Sequence, residues 1–199
     1  MRVWRLIEEK GIATFPKPVF HRIPNFVGAE KAANNLRNLP EYNSAKIVFC
    51  NPDSPQRPVR EMALQEGKTV VMATPRLREG FLLLDPHNIP SNHMSEASTI
   101  HGAFKYGRSV KPNEIKIDLF VAGSVAVAPD GGRLGKGTGY FDQEYVILKN
   151  AGSLTPQTNV VTTVHDIQIV ENIPSDQWDI PVSIIVTPTK TVRTRQSQK

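Results

Sequence analysis

Residues 131–142 read Gly-Gly-Arg-Leu-Gly-Lys-Gly-Thr-Gly-Tyr-Phe-Asp, a glycine-rich basic turn. The residues before it, 117–128, are almost wholly apolar and rich in valine, which predicts one long strand covered on both faces. Residues 140–149 after it have the apolar spacing of a helix. Backbone amides at a helix N-terminus carry partial positive charge, and glycines let an anion approach them closely. Since Arg133 and Lys136 add formal charge, the turn is a candidate phosphate site.

Neither of the two common nucleotide-binding motifs fits this turn. In a P-loop ending at Gly135 and Lys136, Asp130 would replace the first glycine and Gly137 would replace the final Ser or Thr. In a dinucleotide-binding turn starting at Gly135, Tyr140 would occupy the third glycine position. The turn alone therefore leaves open a purely structural role, in which the glycines only make a tight connection from strand to helix.

Strand-like and helical segments alternate along the rest of the chain. Strands are predicted at 45–50, 69–73, 159–164 and 182–186, with a short apolar run at 81–84 and helices at 4–11, 28–39 and 58–66. Residues 85–106 have no clear period and are predicted to form an excursion with short helices. This alternation predicts an α/β fold with an open, mostly parallel sheet flanked by helices. We expect one domain over residues 1–189 and a loose basic tail over residues 190–199.

The composition indicates which of three kinds of partner to expect: membranes, anionic ligands or nucleic acids. The 199 residues contain no apolar run near the roughly 20 residues of a membrane span, so we expect a cytoplasmic protein without a membrane partner. The single cysteine, Cys50, ends an apolar run and is predicted to be buried. The net charge of +5 suits anionic ligands such as nucleotides. Because much of that charge lies in the tail, without interleaved aromatic residues, no specific nucleic-acid partner is expected.

Basic residues that follow predicted strands are further candidates for anion binding. Arg57 and Arg60 lie after the strand at 45–50, where they could meet phosphate or carboxylate or could be solvated surface residues. Arg76 follows the strand at 69–73 and is a stronger candidate, because it comes directly after a strand-ending proline at the rim of the sheet.

Three residues at the start of the helix after the turn have two possible roles each. Asp142 lies in the first helical turn, where it could bind Mg²⁺ or simply stabilise the helix dipole by roughly 0.3–1 kcal/mol. Tyr140 and Phe141 could stack on a flat ligand ring, although one of them is expected to pack into the core.

The histidines carry no predicted chemistry. His87, His93 and His101 match no familiar zinc spacing and are predicted not to be ligands. His165 and Asp166 are adjacent on extended backbone, where side chains point apart, so a capping or loop role is predicted.

With its flanks, the turn at 131–142 resembles the signature of the 5-formyltetrahydrofolate cyclo-ligase family, also called methenyltetrahydrofolate synthetases. Asp118-Leu119, Gly123 and the segments 178–182 and 184–187 resemble further landmarks of that family. The likeness is greatest to its branch of methenyltetrahydrofolate synthetase domain-containing proteins. It extends over nearly the whole chain, through residues 21–26, 74–78, 123–127 and 164–166.

The resemblance implies an open α/β fold like that of sugar-phosphate isomerases and CoA transferases, with ATP, Mg²⁺ and a reduced folate at the turn. In that family ATP phosphorylates the formyl oxygen of 5-formyltetrahydrofolate, the other folate nitrogen attacks the activated carbon, and phosphate leaves to give 5,10-methenyltetrahydrofolate. The implied roles are catalysis by Arg133 and Lys136 and binding of Mg²⁺ by Asp142. The implied nucleotide-binding residues are Gly135, Gly137, Thr138, Gly139, Tyr140 and Arg76.

Some positions depart from the family pattern. Cyclo-ligases carry a Lys-x-x-x-Arg pair on a first helix, for which Arg2 and Arg5 are imperfect substitutes. Val127 and Ala128 replace a Phe-Asp pair, and Ser183 replaces an Asp. An alternative function is therefore a regulatory module of the same fold that binds nucleotide or folate with reduced turnover.

Overall fold

The structure is a computed structural model, and it describes residues 2–174, 176 and 179–194. Trp178, a landmark of the family resemblance, and residues 195–199 of the predicted tail lie outside the described residues. The elements are α1 (Arg2–Glu9), α2 (Ala29–Arg37), α3 (Pro40–Ser44), β1 (Ile47–Cys50), α4 (Arg57–Gln65), β2 (Thr69–Ala73), β3 (Phe81–Leu84), α5 (Met94–Ala97), α6 (Ile100–Tyr106), β4 (Arg108–Val110), β5 (Leu119–Ala122), β6 (Ala126–Val127), β7 (Arg133–Leu134), α7 (Tyr140–Asn150), β8 (Asn159–Thr163), β9 (Ile184–Val186) and β10 (Thr191–Arg193).

In the described part of the chain, eight strands form one mixed sheet in the order β10-β9-β8-β5-β1-β2-β3-β4. The central strands β9, β8, β5, β1 and β2 pair in parallel, while β3, β4 and β10 pair antiparallel at the two edges. The prediction of an open, mostly parallel α/β sheet is confirmed. The chain extends from β1 toward β2 and later from β5 toward β8, so the order reverses between β1 and β5. Ligands of such sheets bind at this reversal, beyond the carboxyl ends of the strands.

Helices cover both faces of the sheet. Alternate residues of the central strands point to opposite faces and pack into two separate cores. In β1, Val48 and Cys50 join the cluster packed by α2 and α4, whereas Phe49 joins the cluster packed by α7. The thiol of Cys50 is fully buried, which confirms that prediction and raises its pKa to about 12. Strands buried on both faces read as continuous apolar runs, which explains why the sequence located them well.

The prediction of a single strand over 117–128 is wrong, because the strand leaves the sheet at Gly123. The N–H of Gly123 donates to Oδ1 of Asn51 at 3.0 Å instead of continuing the ladder. The chain then forms a small hairpin, β6 paired antiparallel with β7. The first glycines of the turn at 131–142 therefore close this hairpin, and only residues 135–139 lead into α7.

The prediction of a loose tail from residue 190 is wrong for residues 191–193. These residues pair antiparallel with β9 as the edge strand β10. Arg193 also forms a two-bond ion pair with Glu41 of α3, at 2.6 and 3.1 Å. The polar composition of this strand fits a sheet edge, where one side faces water.

Arg60 fixes the loop that follows β1. Its guanidinium is buried in α4 and donates to the backbone oxygens of Ser98, Asn51 and Asp53 at 2.8, 2.6 and 3.0 Å. This burial lowers the pKa of Arg60. Arg60 is therefore a structural residue and not the anion ligand considered from the sequence.

Replacing Arg60 with Met should lower the free energy of unfolding by roughly 2–5 kcal/mol, because it removes the guanidinium donor from the buried carbonyl groups of Ser98 and Asn51. The matched control is Arg57→Met in the same helix, whose exposed guanidinium bonds to Ser95 and Ser98. That change should stay within about 1 kcal/mol of the parent protein. Urea denaturation measures both, and equal losses would contradict this role of Arg60.

Candidate active site

A cleft of about 580 Å³ opens beyond the carboxyl ends of β1, β2 and β5. It lies where the strand order reverses. All nine residues that the sequence assigned to the site line this one cleft. They are Arg76, Arg133, Gly135, Lys136, Gly137, Thr138, Gly139, Tyr140 and Asp142.

The loop 135–139 needs glycine at two positions for reasons of backbone geometry. Gly137 and Gly139 have φ values of 85° and 70°, in the left-handed region that favours glycine. A Cβ at either position would meet no atom within 4 Å, so the requirement is conformational and not one of space. Gly139 is also the N-cap of α7 and has no side chain to satisfy the first amides of the helix. The loop thus presents helix N-terminal amides to the cleft.

Lys136 spans the cleft to the loop that follows β1. Its Nζ lies 3.0 Å from Oδ1 of Asp53, and both side chains are largely buried, with 33% and 18% of their surface exposed. This ion pair joins the glycine loop to the loop after β1, which Arg60 fixes by donating to the carbonyl of Asp53. The ion pair with Asp53 therefore holds Lys136 at the point where the strand order reverses.

Arg133 is more deeply buried than the sequence suggested, with 7% of its side chain exposed. Its guanidinium stacks on the ring of Phe141 at 3.6 Å and donates to the carbonyl of Gly123 at 3.0 Å. Its Nη2 lies 3.9 Å from Oδ1 of Asp142. Burial lowers the pKa of Arg133 to about 10, partly offset by the charge of Asp142. The Nε atom is buried without a hydrogen-bond partner among the described residues.

The structure adds two site residues that the sequence reasoning missed, Asn51 and Glu144. Nδ2 of Asn51 donates to Oε2 of Glu144 at 2.6 Å, while its Oδ1 accepts the Gly123 N–H. Burial, reinforced by the nearby charge of Asp53, raises the pKa of Glu144 to about 8. The position of Asn51 directly after a predicted strand was an available signal, whereas nothing in the local pattern marks Glu144 as buried.

Asp142 could supply one protein ligand to Mg²⁺, but the described residues do not provide a complete set of ligands there. It lies in the first turn of α7 with half of its side chain exposed, at 51%. Within the described residues, no group of three or more His, Cys, Asp or Glu side chains could hold a metal ion. One carboxylate suffices for Mg²⁺ only where substrate phosphates and water supply the other ligands.

Of the two aromatic residues at the start of α7, one packs beside the core, as expected, and the other lines the cleft. Phe141 packs with Phe120 and Tyr145 beside the core, at ring-centroid distances of 5.5 and 6.4 Å. Tyr140 lines the cleft and is half-buried.

Arg76 reaches the cleft from a strained loop. Arg76 and Leu77 have φ values of 58° and 54°, which for residues with a side chain costs of order 1–3 kcal/mol each. Thr74 holds the loop, because its N–H and hydroxyl both donate to the carbonyl of Gly80 at 2.9 and 3.0 Å. Its hydroxyl oxygen also accepts the N–H of Glu79 at 3.0 Å.

Other polar candidates lie outside the cleft. His165 caps a short 3₁₀ helix through Nδ1, and Asp166 accepts from Thr187 and Thr189, so the capping prediction is confirmed. His93 contacts Glu96 and Tyr106. Arg2 and Arg5 of α1 do not belong to the residues that line the cleft.

The fold and the cleft define an α/β protein with a charged crevice at the reversal point of a mostly parallel sheet. The chain belongs to the 5-formyltetrahydrofolate cyclo-ligase family, because the profile of that family matches residues 1–188. It is 31% identical to the 5-formyltetrahydrofolate cyclo-ligase of Escherichia coli K12, over 81% of this chain and 88% of that protein.

Longer relatives are more similar in sequence. The methenyltetrahydrofolate synthase domain-containing proteins of Mus musculus and Homo sapiens are 40% and 38% identical over 97% of this chain. The chain spans about half of their length, 53% and 52%. The solved structure of 5,10-methenyltetrahydrofolate synthetase from Aquifex aeolicus has a TM-score of 0.60 at 22% identity, covering 98% of this chain and 92% of that one. At this identity the likeness shows the fold alone.

One further sequence prediction concerns the membrane. Among the described residues, no helix is both long enough and apolar enough to cross a bilayer.

Glu144 should make the stability of the protein depend on pH. Because its pKa is raised from 4.5 to about 8, the folded state keeps a proton that the unfolded state releases between these values. The free energy of unfolding should therefore fall as pH rises through this window. In Glu144→Gln, which can still accept from Asn51, that loss should be absent.

Urea denaturation of both proteins from pH 5 to pH 8, in buffer without divalent cations, measures this difference. The Gln variant should gain relative stability as pH rises. A stability difference that stays constant over the range would contradict a raised pKa for Glu144.

Proposed function

We propose that this chain catalyses the ATP- and Mg²⁺-dependent conversion of 5-formyltetrahydrofolate to 5,10-methenyltetrahydrofolate. The observation that carries the proposal is the convergence of the nine sequence-predicted residues on one cleft at the reversal point of the sheet. Membership of the cyclo-ligase family supports the reaction type. The reaction proceeds through a phosphorylated formyl group, and phosphoryl transfer needs mainly positioning and charge neutralisation.

The residues of the cleft would supply both needs. The amides of Gly135, Gly137 and Gly139 would bind phosphate oxygens, with the helix dipole of α7 behind them. Lys136 would neutralise charge on the transferred phosphoryl group. Arg133 would do so from its buried position, where its unpartnered Nε is a remaining donor.

Two further residues would orient the ligands. Tyr140 would line the pocket for a flat ring, with Thr138 beside it on the loop. Asp142 is the carboxylate that would hold Mg²⁺, and the ion, when bound, would neutralise phosphate charge. Asp142 also faces Arg133 at 3.9 Å, so the two side chains support each other electrostatically.

Lys136→Ala and Arg133→Ala should each lower turnover by about 10²–10³-fold, because each removes a preorganised charge. Formation of the methenyl chromophore from ATP, Mg²⁺ and 5-formyltetrahydrofolate measures the rate. The matched control is Lys149→Ala, an exposed lysine in the last turn of the same helix that carries Asp142, and it should keep the parent rate. Turnover that survives loss of Lys136 in a folded variant would refute its role.

A second candidate function is a regulatory module that binds ATP or folate with little turnover. The observation that favours it is the position of Arg2 and Arg5, which lie on α1 but do not line the cleft. Calorimetry separates the two functions. Tight binding of ATP or folate without chromophore formation would favour the module, whereas chromophore formation at a rate well above that of Lys136→Ala would favour the enzyme.

A further inference from the structure

Arg76 is a cation in the cleft without an internal partner. Among the residues that the structure describes, its guanidinium has no hydrogen bond and no ion pair. The other two cations assigned to the site each face a carboxylate, Lys136 with Asp53 at 3.0 Å and Arg133 with Asp142 at 3.9 Å. The uncompensated charge of Arg76 is therefore available to an anionic ligand.

The backbone beneath Arg76 is held in a costly conformation. Three described residues other than glycine have a positive φ, namely His21, Arg76 and Leu77, and two of them line the cleft. The bonds of Thr74 to Gly80 and the partial burial of Leu77 against the core maintain this conformation in the loop of Arg76. Strain of this kind persists where surrounding structure enforces it, and it is concentrated at ligand clamps.

The sheet separates Arg76 from the strand that leads to the glycine loop. Its loop follows β2, and β1 lies between β2 and β5. Two strand spacings put the ends of β2 and β5 about 10 Å apart, and the loop of Arg76 also packs beside α7, because Leu77 shares a cluster with Phe141 and Tyr145. In 5-formyltetrahydrofolate the reacting formyl group is on the ring, and the glutamate carboxylates are at the other end of the molecule. With the formyl group at the glycine loop, the glutamate must extend away from it.

We propose that Arg76 binds a carboxylate of the glutamate portion of the folate substrate, instead of the nucleotide assigned to it from sequence. This inference rests on the proposed function, because it takes the folate as the substrate. The planar guanidinium can donate two parallel N–H bonds to one carboxylate, which provides orientation as well as charge. Arg76 thereby selects folates over reduced pterins that lack the acidic end.

The test compares two ligands that differ only at this end. One is 5-formyltetrahydrofolate, and the other is its analogue in which an uncharged alkylamine replaces glutamate. Dissociation constants are measured by calorimetry without ATP, and kcat and KM are measured with ATP and Mg²⁺. Arg76→Ala should weaken binding of the folate about 10- to 100-fold, mainly through KM, and leave binding of the analogue unchanged.

Two further variants control for the backbone and for charge. Asn tolerates the left-handed region, so Arg76→Asn should keep the loop and lose the same affinity as Arg76→Ala. Arg78→Ala removes a nearby exposed charge that does not line the cleft, and it should leave the dissociation constants of both ligands unchanged. The assignment of Arg76 would be overturned if Arg76→Ala lost equal affinity for both ligands. It would also be overturned if the KM for ATP rose while the dissociation constant for the folate stayed unchanged.

The binding measurement separates this inference from the proposed function. Absence of turnover by the parent protein refutes the enzyme, while the two dissociation constants still decide the role of Arg76. A parent protein that binds the folate no better than the uncharged analogue refutes the role of Arg76 even if turnover is observed.

Discussion

The hydrogen bond between the Gly123 N–H and the side chain of Asn51 is the contact on which the cleft depends. It joins the loops after β5 and β1 at the point where the strand order reverses. A Cβ at Gly123 would lie 2.9 Å from Oδ2 of Asp53 and 3.0 Å from Oε1 of Gln56, so a larger residue here would displace the side chains of the loop after β1. The carbonyl of the same glycine accepts from Arg133, and the other end of the Asn51 amide binds Glu144. One residue without a side chain thus organises both walls of the cleft.

The electrostatics of the cleft follow from this close approach. Three carboxyl groups, on Asp53, Asp142 and Glu144, surround the two cations at the turn, and Glu144 responds with a raised pKa because it is buried beside Asp53. Among the residues that the structure describes, neither Arg76 nor Arg22, which also lines the cleft, has such a partner. The cleft therefore combines an almost balanced charge around the turn with uncompensated positive charge at Arg76 and Arg22.

Much of the fold could be predicted from the sequence, because strands buried on both faces give continuous apolar runs and because caps and glycines mark the ends of the helices. The break at Gly123 could not, since it depends on competition from a side chain 72 residues away for one N–H group. The edge strand β10 was missed for a related reason. Its polar residues resemble a tail until β9 and Glu41 supply their partners.

The residues assigned to the site from the sequence line one cleft, whereas the contacts that surround them could not be predicted. Nine residues converge as expected, because sequence near a glycine-rich turn constrains what lies at a strand end. The ion pair of Lys136 with Asp53 and the bond of Glu144 to Asn51 join residues 83 and 93 positions apart, and the burial of Arg133 depends on how Gly123 and Phe141 pack around it. The strained backbone of Arg76 is likewise enforced by Thr74 and by packing, which local propensity does not encode.

The pairing of Lys136 with Asp53 and of Arg133 with Asp142 has a consequence for competing solutes. An anion that enters the turn must exchange places with carboxylates that are already covalently tethered there. Chloride or bicarbonate, with a single charge, gains too little to displace them, whereas a chain of phosphates can engage several donors at once. We therefore expect the internal acids to favour anions with several charges over singly charged ones at the turn.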